Sequence, residues 1–300
     1  MDTFHEVALS SWDANLDRGA RQDALNALER GQVLYFPSLR FDLSKAQQRL
    51  LNPAVLNGSS KNISFDPATG ALAGTSSVGS ERSDLQAMMA QYSRAADGLM
   101  RHLLGGYGSA LALKRTSFRP AEIKGRQTSW RKDDSRLHVD SFPSMPTHGR
   151  RLLRIFCNVN ADGRPRTWRL GEPFSDLAQR FWPKLRHPHW GERHLLYAFR
   201  VTRALRSEYD HYMLQLHDAM KADTAYQRHV TQLTYHFPTG VAWACFTDQV
   251  SHAAMAGQHQ LEQTFSLPVE YMHQPSTSPL RVLEAMAGRA LIPEGLRSAA

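Results

Sequence analysis

Residues 126–160 read RQTSWRKDDSRLHVDSFPSMPTHGRRLLRIFCNVN, and the reading of this segment decides the fold. Side chains along a strand alternate between faces, so His138 and Asp140 share one side while Val139 takes the other. An imidazole and a carboxylate on one side supply two ligands of a 2-His-1-carboxylate facial triad, which holds Fe(II) in non-haem oxygenases. The third ligand has to come from a distant strand, and His252, within VAWACFTDQVSHAAM, is the best candidate. A His-x-Asp pair alone is a weak motif in a chain with 14 histidines, where a solvated pair at a strand end is the plainer reading. Context strengthens it. A Pro-containing loop, FPSMPTHG, follows the pair, and then RLLRIFCNV, whose alternation and β-branched or aromatic content suit a core strand.

Working outward, the chain has 300 residues, 42% of them hydrophobic and 21% charged, which suits a globular protein with ample chain for a core. Lysine and arginine number 36 against 28 acidic residues, a formal charge of +8. That excess points to an anionic partner: nucleic acid, a membrane surface, or an acidic sugar or phosphate. The two cysteines, Cys157 and Cys245, each sit in an apolar strand-like run and read as small buried hydrophobes. They supply neither a disulfide framework nor a Cys-rich zinc site. The start, MDTFHEVALSSWD, lacks the apolar core of a signal peptide, and no uncharged run reaches membrane-spanning length. A cytoplasmic protein is expected, soluble or peripherally attached.

Helical spacing marks a helix from about Asp17 to Arg30, stopped by Gly31, before the strand-like GQVLYFPSL. Residues 57–80, rich in Gly, Ser and Asn, read as a long loop with at most a short strand. Ser80 or Ser83 is expected to cap the next helix, SDLQAMMAQYSRAADGLMRHLL, which presents an apolar stripe. SALALKRTSFRPAEI alternates as a strand and leads into the central segment. After Asn160, NADGRPRTW reads as a turn. PFSDLAQRFW and the long SEYDHYMLQLHDAMKADTAYQRHV read as helices. QLTYHFP, GVAWACFTDQ and QTFSLPVEYM read as the last strands, and SPLRVLEAMAGRAL as a terminal helix.

This order predicts an α+β fold with a mainly β core: a double-stranded β-helix (jelly-roll, cupin-like) flanked by helices. One oxygenase domain is expected over 1–300. Its parts would be a helix-and-strand portion over about 1–110, a jelly-roll core over about 111–272, a helical insertion over about 173–230 and a last helix over about 278–292.

Three side-chain ligands leave three positions open on Fe(II), enough for a keto acid and O2. The keto acid's far carboxylate then needs a cation, preferably a planar two-pronged one. Arg154, in the middle of an apolar strand, is the candidate, since a buried arginine is costly without an anion; a structural salt bridge is the alternative. Asn158 could add a hydrogen bond. Arg126, Trp130 and Arg131 form a basic and aromatic cluster that could grip an anionic substrate, although a solvated charge run is the blander reading. His187-Pro-His189 is a competing metal motif in a Pro-broken stretch. Serine-nucleophile and Walker-type phosphate motifs are absent.

The runs TSWRKDDSRLHVDSFPSMPTHGRRLLRIFCNVN, RPRTWRLGEPF, YDHYMLQLHDAMKAD and FTDQVSHAAMAGQHQLEQTFSLP resemble the Kdo 3-hydroxylase family of Gram-negative bacteria. The resemblance runs from GQVLYFPSL to SPLRVLEAMAGRAL. It implies a jelly-roll oxygenase that uses Fe(II), 2-oxoglutarate and O2 to hydroxylate 3-deoxy-D-manno-oct-2-ulosonic acid (Kdo) in the lipopolysaccharide inner core. The product would be D-glycero-D-talo-oct-2-ulosonic acid. Carried over by motif, the metal ligands would be His138, Asp140 and His252. Many members of the wider superfamily place an arginine about ten residues after the second histidine. AAMAGQHQLEQTFSLP has none there, which favours Arg154 as anchor and makes Gln263 and Ser266 secondary candidates. The implied partner is a Kdo-bearing lipid A or lipopolysaccharide precursor, met as a peripheral protein on the anionic cytoplasmic face of the inner membrane. A nucleic-acid oxygenase and a non-catalytic cupin-like binding module are the alternatives. No interleaved aromatic and basic stripe is present, so nucleic acid is not the expected partner.

Overall fold

In chain order the computed structural model, which describes residues 3–189 and 191–293, begins with β1 (Phe4–Glu6), α1 (Arg18–Glu29), β2 (Val33–Phe36) and α2 (Lys45–Gln48). It continues through β3 (Ile63–Phe65), β4 (Leu72–Ala73), α3 (Gly79–Leu103), β5 (Ala112–Arg119), β6 (Arg151–Asn158) and β7 (Arg166–Leu170). Four helices follow: α4 (Phe174–Phe181), α5 (Glu192–Ala198), α6 (Glu208–Ala222) and α7 (Thr224–His229). The chain closes with β8 (Leu233–Phe237), β9 (Ala242–Phe246), β10 (His252–Ala256), β11 (Gln260–Leu267) and α8 (Pro279–Ala287). Residues 1–2, 190 and 294–300 of the expected single domain lie outside the described residues.

Eight strands form one sheet in the order β1-β2-β9-β6-β11-β5-β3-β4, and three form a second, β10-β7-β8. These are the two walls of a jelly roll. Strand β6 explains the layering. All eight of its residues are buried, because both faces are covered. Leu153, Ile155 and Cys157 join the large core with Met88, Met89 and Tyr92 of α3, while Phe156 joins Trp168, Trp243 and Phe237 between the sheets. Tyr92, fully buried, donates its hydroxyl to the Ile155 carbonyl at 3.0 Å and ties α3 to the sheet. Arg154 is therefore on the inner wall, and the cavity between the sheets is where it points.

Several local expectations change. Neither Ser80 nor Ser83 caps α3; Val78 occupies the N-cap without a side-chain bond, and Ser83 Oγ donates to the Gly79 carbonyl instead. The long helix read after Ser207 is two, because Asp223 leaves helical geometry and accepts from Tyr226 N to start α7. The 57–80 loop holds two short paired strands, β3 and β4. The end of NADGRPRTW, read as a turn, opens β7, and the stretch around His252 carries β10. Helices α4 to α7 fall in sequence between β7 and β8, which pair directly. They leave the small sheet continuous.

Candidate active site

His138 and His252 meet across an isolated antiparallel bridge, each backbone N–H donating to the other's carbonyl at 3.0 and 2.9 Å. Ala254 N donates to Asp134 O and Asp140 N to Thr247 O, both at 2.8 Å. The 134–140 segment is thus fixed between β10 and the turn after β9. Each imidazole Nδ1 lies against the carbonyl two residues before it: Arg136 O at 2.7 Å from His138, and Val250 O at 2.8 Å from His252. A carbonyl only accepts, so both Nδ1 atoms carry the proton and both Nε2 lone pairs remain free to bind a metal. One ligand atom from each of His138, Asp140 and His252 lies within 4.8 Å of the other two. The indole of Trp168 stacks on His252 with centroids 5.1 Å apart.

Electrostatics prepare the same atoms. Burial, with His252 and Lys221 nearby, holds the His138 imidazole well below its ordinary pKa, so it is neutral and needs no proton removed before binding a cation. Burial alone would raise the Asp140 carboxyl, but the Arg154 guanidinium beside it outweighs burial and keeps it ionised. Arg154 Nη1 stands 3.2 Å from Asp140 Oδ2 and 3.1 Å from Glu262 Oε1, and Arg119 Nε stands 3.1 Å from Glu262 Oε2. The approach of Arg154 to Asp140 lacks hydrogen-bond geometry, so Asp140 Oδ2 is a buried oxygen with no hydrogen-bond partner among the described residues. Such an atom is costly unless a cation takes it. Two free Nε2 lone pairs and an unsatisfied carboxylate oxygen suit a divalent metal.

The cavity above these three groups is lined by four guanidiniums, from Arg119, Arg126, Arg154 and Arg166, against the carboxylates of Asp134, Asp140 and Glu262. Arg126 and Arg166 are the two without an ion-paired carboxylate among the described residues, and Arg166 is the more deeply buried. It is 2% exposed, its Nη1 donates to Gly257 O at 2.7 Å, its Nε has no partner and no carboxylate lies within ion-pair distance among the described residues. Burial, then the neighbouring Arg119, pulls its pKa down to about 9. A guanidinium keeps its proton at neutral pH, so Arg166 is a buried charge with no ion-paired carboxylate. A second hollow shares Ile123, Arg126 and Asp134 with the first and adds Lys61, Lys124 and Lys132, making a basic approach.

The other sequence candidates scatter. Arg126 lines both hollows. Trp130 and Arg131 form a short turn packed on α6, where Arg131 stacks on Trp130 and pairs with Asp218 at 2.9 Å. Asn158 is a clamp whose amide donates to the Arg164, Phe237 and Pro238 carbonyls, away from the cavity. Gln263 accepts from Thr116 Oγ1 at 2.6 Å and donates to Lys114 O at 2.8 Å, on the face of β11 opposite Glu262. Ser266 meets Arg150 Nε at 3.4 Å and does not line the cavity. His187 and His189 are exposed. Sequence reasoning missed Arg119, Glu262, Arg166 and Trp168. The signal for the last two was the alternation Arg166, Trp168, Leu170, hidden by the preceding Gly and Pro.

Comparison with known proteins places this geometry. The family model described as 3-deoxy-D-manno-oct-2-ulosonic acid (Kdo) hydroxylase matches residues 11–290. A crystal structure of the Kdo hydroxylase KdoO, a non-haem Fe(II) α-ketoglutarate-dependent dioxygenase in complex with α-ketoglutarate and Fe(III), is 43% identical. The match covers 97% of this chain and 98% of that one, with a TM-score of 0.94. The cobalt(II) complex of KdoO matches at 43% identity and a TM-score of 0.96, covering 98% of each chain. The complex with succinate and Fe(III) is 42% identical, with a TM-score of 0.94 and 98% of each chain covered. No match was found among curated protein sequences.

Proposed function

The chain belongs to the Kdo hydroxylase family of Fe(II)- and 2-oxoglutarate-dependent dioxygenases, and on that premise we propose the details of its reaction. The protein hydroxylates Kdo. The position is C3, the sugar is carried on lipid A in the lipopolysaccharide inner core, and the products are D-glycero-D-talo-oct-2-ulosonic acid, succinate and CO2. His138, Asp140 and His252 are the iron ligands in this reading, supported by their mutual distances and their free lone pairs. When bound, iron with 2-oxoglutarate and O2 supplies the oxidising power for C–H hydroxylation. The rest is done by this chain's side chains.

Arg166 takes the far carboxylate of 2-oxoglutarate, beside Arg154 and Arg119 on the facing wall. The observation that carries this is the buried guanidinium without an anion. Arg154 has a second task, holding Asp140 in place while Glu262 balances its charge. Trp168 fixes the plane of His252, and Phe156, Ile123 and Ala254 supply the apolar part of a mostly charged lining. Arg126, with Lys61, Lys124 and Lys132 beyond it, receives the Kdo carboxylate and neighbouring anionic groups of the acceptor. Trp130 and Arg131 border that approach from the α6 side. The protein works peripherally on the anionic cytoplasmic face of the inner membrane; among the described residues no helix is long and apolar enough to cross it.

The test is succinate formation from 2-oxoglutarate under air with Fe(II), with and without Kdo-bearing lipid A, beside His138→Ala. Succinate that rises with the lipid and a gain of about 16 daltons on Kdo, one oxygen atom, support the reading. Succinate formed while Kdo stays unmodified refutes the lipid-linked acceptor. A non-catalytic binding module predicts no succinate at all.

A further inference from the structure

Eight large apolar side chains are strongly exposed among the described residues, and four of them fall within one turn of chain: Leu195 at 60%, Tyr197 at 50%, Phe199 at 77% and Val201 at 52%. Scattered singly, such residues need no explanation; gathered at one tip, they do. A fifth, Met145, 47% exposed, sits on the loop joined to this tip, where Arg203 N donates to Ser144 O at 2.9 Å and Arg206 Nη2 to Pro143 O at 2.8 Å.

The charges in the surrounding segment are mostly positive. Between residues 186 and 206 stand Arg186, Arg193, Arg200, Arg203 and Arg206, against Glu192 alone. Among the described residues none of the five is in an ion pair with a carboxylate. A rim of unneutralised arginines around projecting Leu, Tyr, Phe and Val is the pattern of a segment that sits at a lipid–water boundary, its apolar groups entering the acyl region and its cations meeting anionic headgroups.

The backbone presents this tip in a fixed shape. Arg200 has φ of 55°, in the left-handed region, and closes α5 with Val201 N donating to Leu196 O at 2.9 Å. Glycine fills that capping position without strain. Here a residue that adds charge holds it instead.

We infer that the α5 tip, Leu195 to Val201 with its surrounding arginines, docks the protein on an anionic phospholipid surface. The inference rests on the reading that the acceptor is lipid-linked, and it adds the face by which the protein meets the bilayer. The anchoring loop begins directly after Asp140, and its Phe142 ring lies 5.6 Å from the Arg154 guanidinium. Docking the tip therefore sets the height and tilt of the metal centre over the membrane. An apolar tip of this kind could also pair two copies of the chain; the arginine rim opposes that, because it would face itself.

Flotation with sucrose-loaded vesicles tests it, using the full-length iron-loaded protein and phosphatidylglycerol–phosphatidylethanolamine vesicles that contain no Kdo. The wild type is expected to bind these vesicles, to lose binding in high salt and to ignore pure phosphatidylcholine. Phe199→Glu with Val201→Glu should weaken binding more than tenfold while turnover of detergent-dispersed substrate stays unchanged. Arg200→Gly, which removes one charge and relieves the left-handed backbone, should bind about fivefold more weakly and melt at a higher temperature. Wild-type protein that stays off anionic vesicles overturns the inference, as does a double variant that binds like wild type. A double variant that turns a dimer into a monomer without vesicles assigns the tip to a second copy and also overturns it. Because flotation reads no turnover, failure of the Kdo assay leaves this result separately interpretable.

Discussion

Trp168 lies nearly flat on His252, with ring centroids 5.1 Å apart and planes inclined by 22°. The two side chains come from paired neighbours β7 and β10, so the stack is set by strand register rather than by a loop. Trp168 is also wedged against Phe156, Phe237 and Trp243. Trp168→Ala should cost about 3–5 kcal/mol of stability and weaken metal binding by roughly 10–100-fold. Trp168→Phe should recover most of both. Co(II) titration followed by visible absorption, with thermal melts of the metal-free protein, reads the two effects separately.

Arg166→Leu is expected to move stability and affinity in opposite directions. The folded state disfavours the charged guanidinium, so replacing it with an apolar side chain should leave the metal-free protein as stable or more stable. The KM for 2-oxoglutarate should rise by about 100-fold, as for removal of one partner of a buried charge pair, with Fe(II) affinity retained. Arg154→Met should instead lower Fe(II) affinity and 2-oxoglutarate affinity together, because that guanidinium also holds Asp140. A loss confined to metal binding in Arg166→Leu would contradict the assignment.

Glu262 makes stability pH-dependent. Burial would raise its carboxyl, but Arg154 and Arg119 outweigh burial and hold it below the usual value. A carboxyl whose pKa is lower folded than unfolded stabilises the fold fully above its unfolded pKa of about 4.3, and that contribution disappears as pH falls through the folded value. Glu262→Gln should cost about 3–5 kcal/mol near neutral pH, since the buried Arg154 and the half-buried Arg119 lose their shared anion. It should also flatten the fall in stability below about pH 4. Urea midpoints across that range check both.

Asp223→Ala provides a control within the helical insertion. Loss of the cap on α7 should cost about 1 kcal/mol and lower the melting temperature by a few degrees, with kcat/KM unchanged. A large drop in turnover would mean that the insertion communicates with the cavity.

These residues also show what the sequence could and could not reveal. His138 and Asp140 were legible because an extended backbone puts residues two apart on one side. His252 was identifiable as a histidine beside strand-like sequence, and the longer runs that resemble the family strengthened all three. Arg154 stood out because charge in an apolar strand demands a partner. Its partner did not: Glu262 looks like an ordinary polar strand residue until β11 is placed beside β6 in register, opposite Phe156. Arg166 and Trp168 were hidden because a Gly-Arg-Pro turn signal immediately precedes their short strand, and local propensity weighed the turn more heavily. Gln263 and Ser266 drew attention through their distance from His252, yet strand parity puts Gln263 on the far face of β11, bonded to β5. Long-range pairing, which no local window contains, decided each of these cases.

Strand β11 also dictates a timetable. It is hydrogen-bonded to β5 on one side and β6 on the other, and among the described residues it is the strand that joins the two halves of the large sheet. A ribosome delivers β5 and β6 long before β11, so the emerging chain first holds two unjoined pieces of sheet. His138 likewise waits for His252, the residue whose backbone fixes its own. The chain must be released past His252 before the three side chains stand together. On the proposed ligand assignment, an unfinished molecule offers iron no complete site until the two sheets have closed on each other.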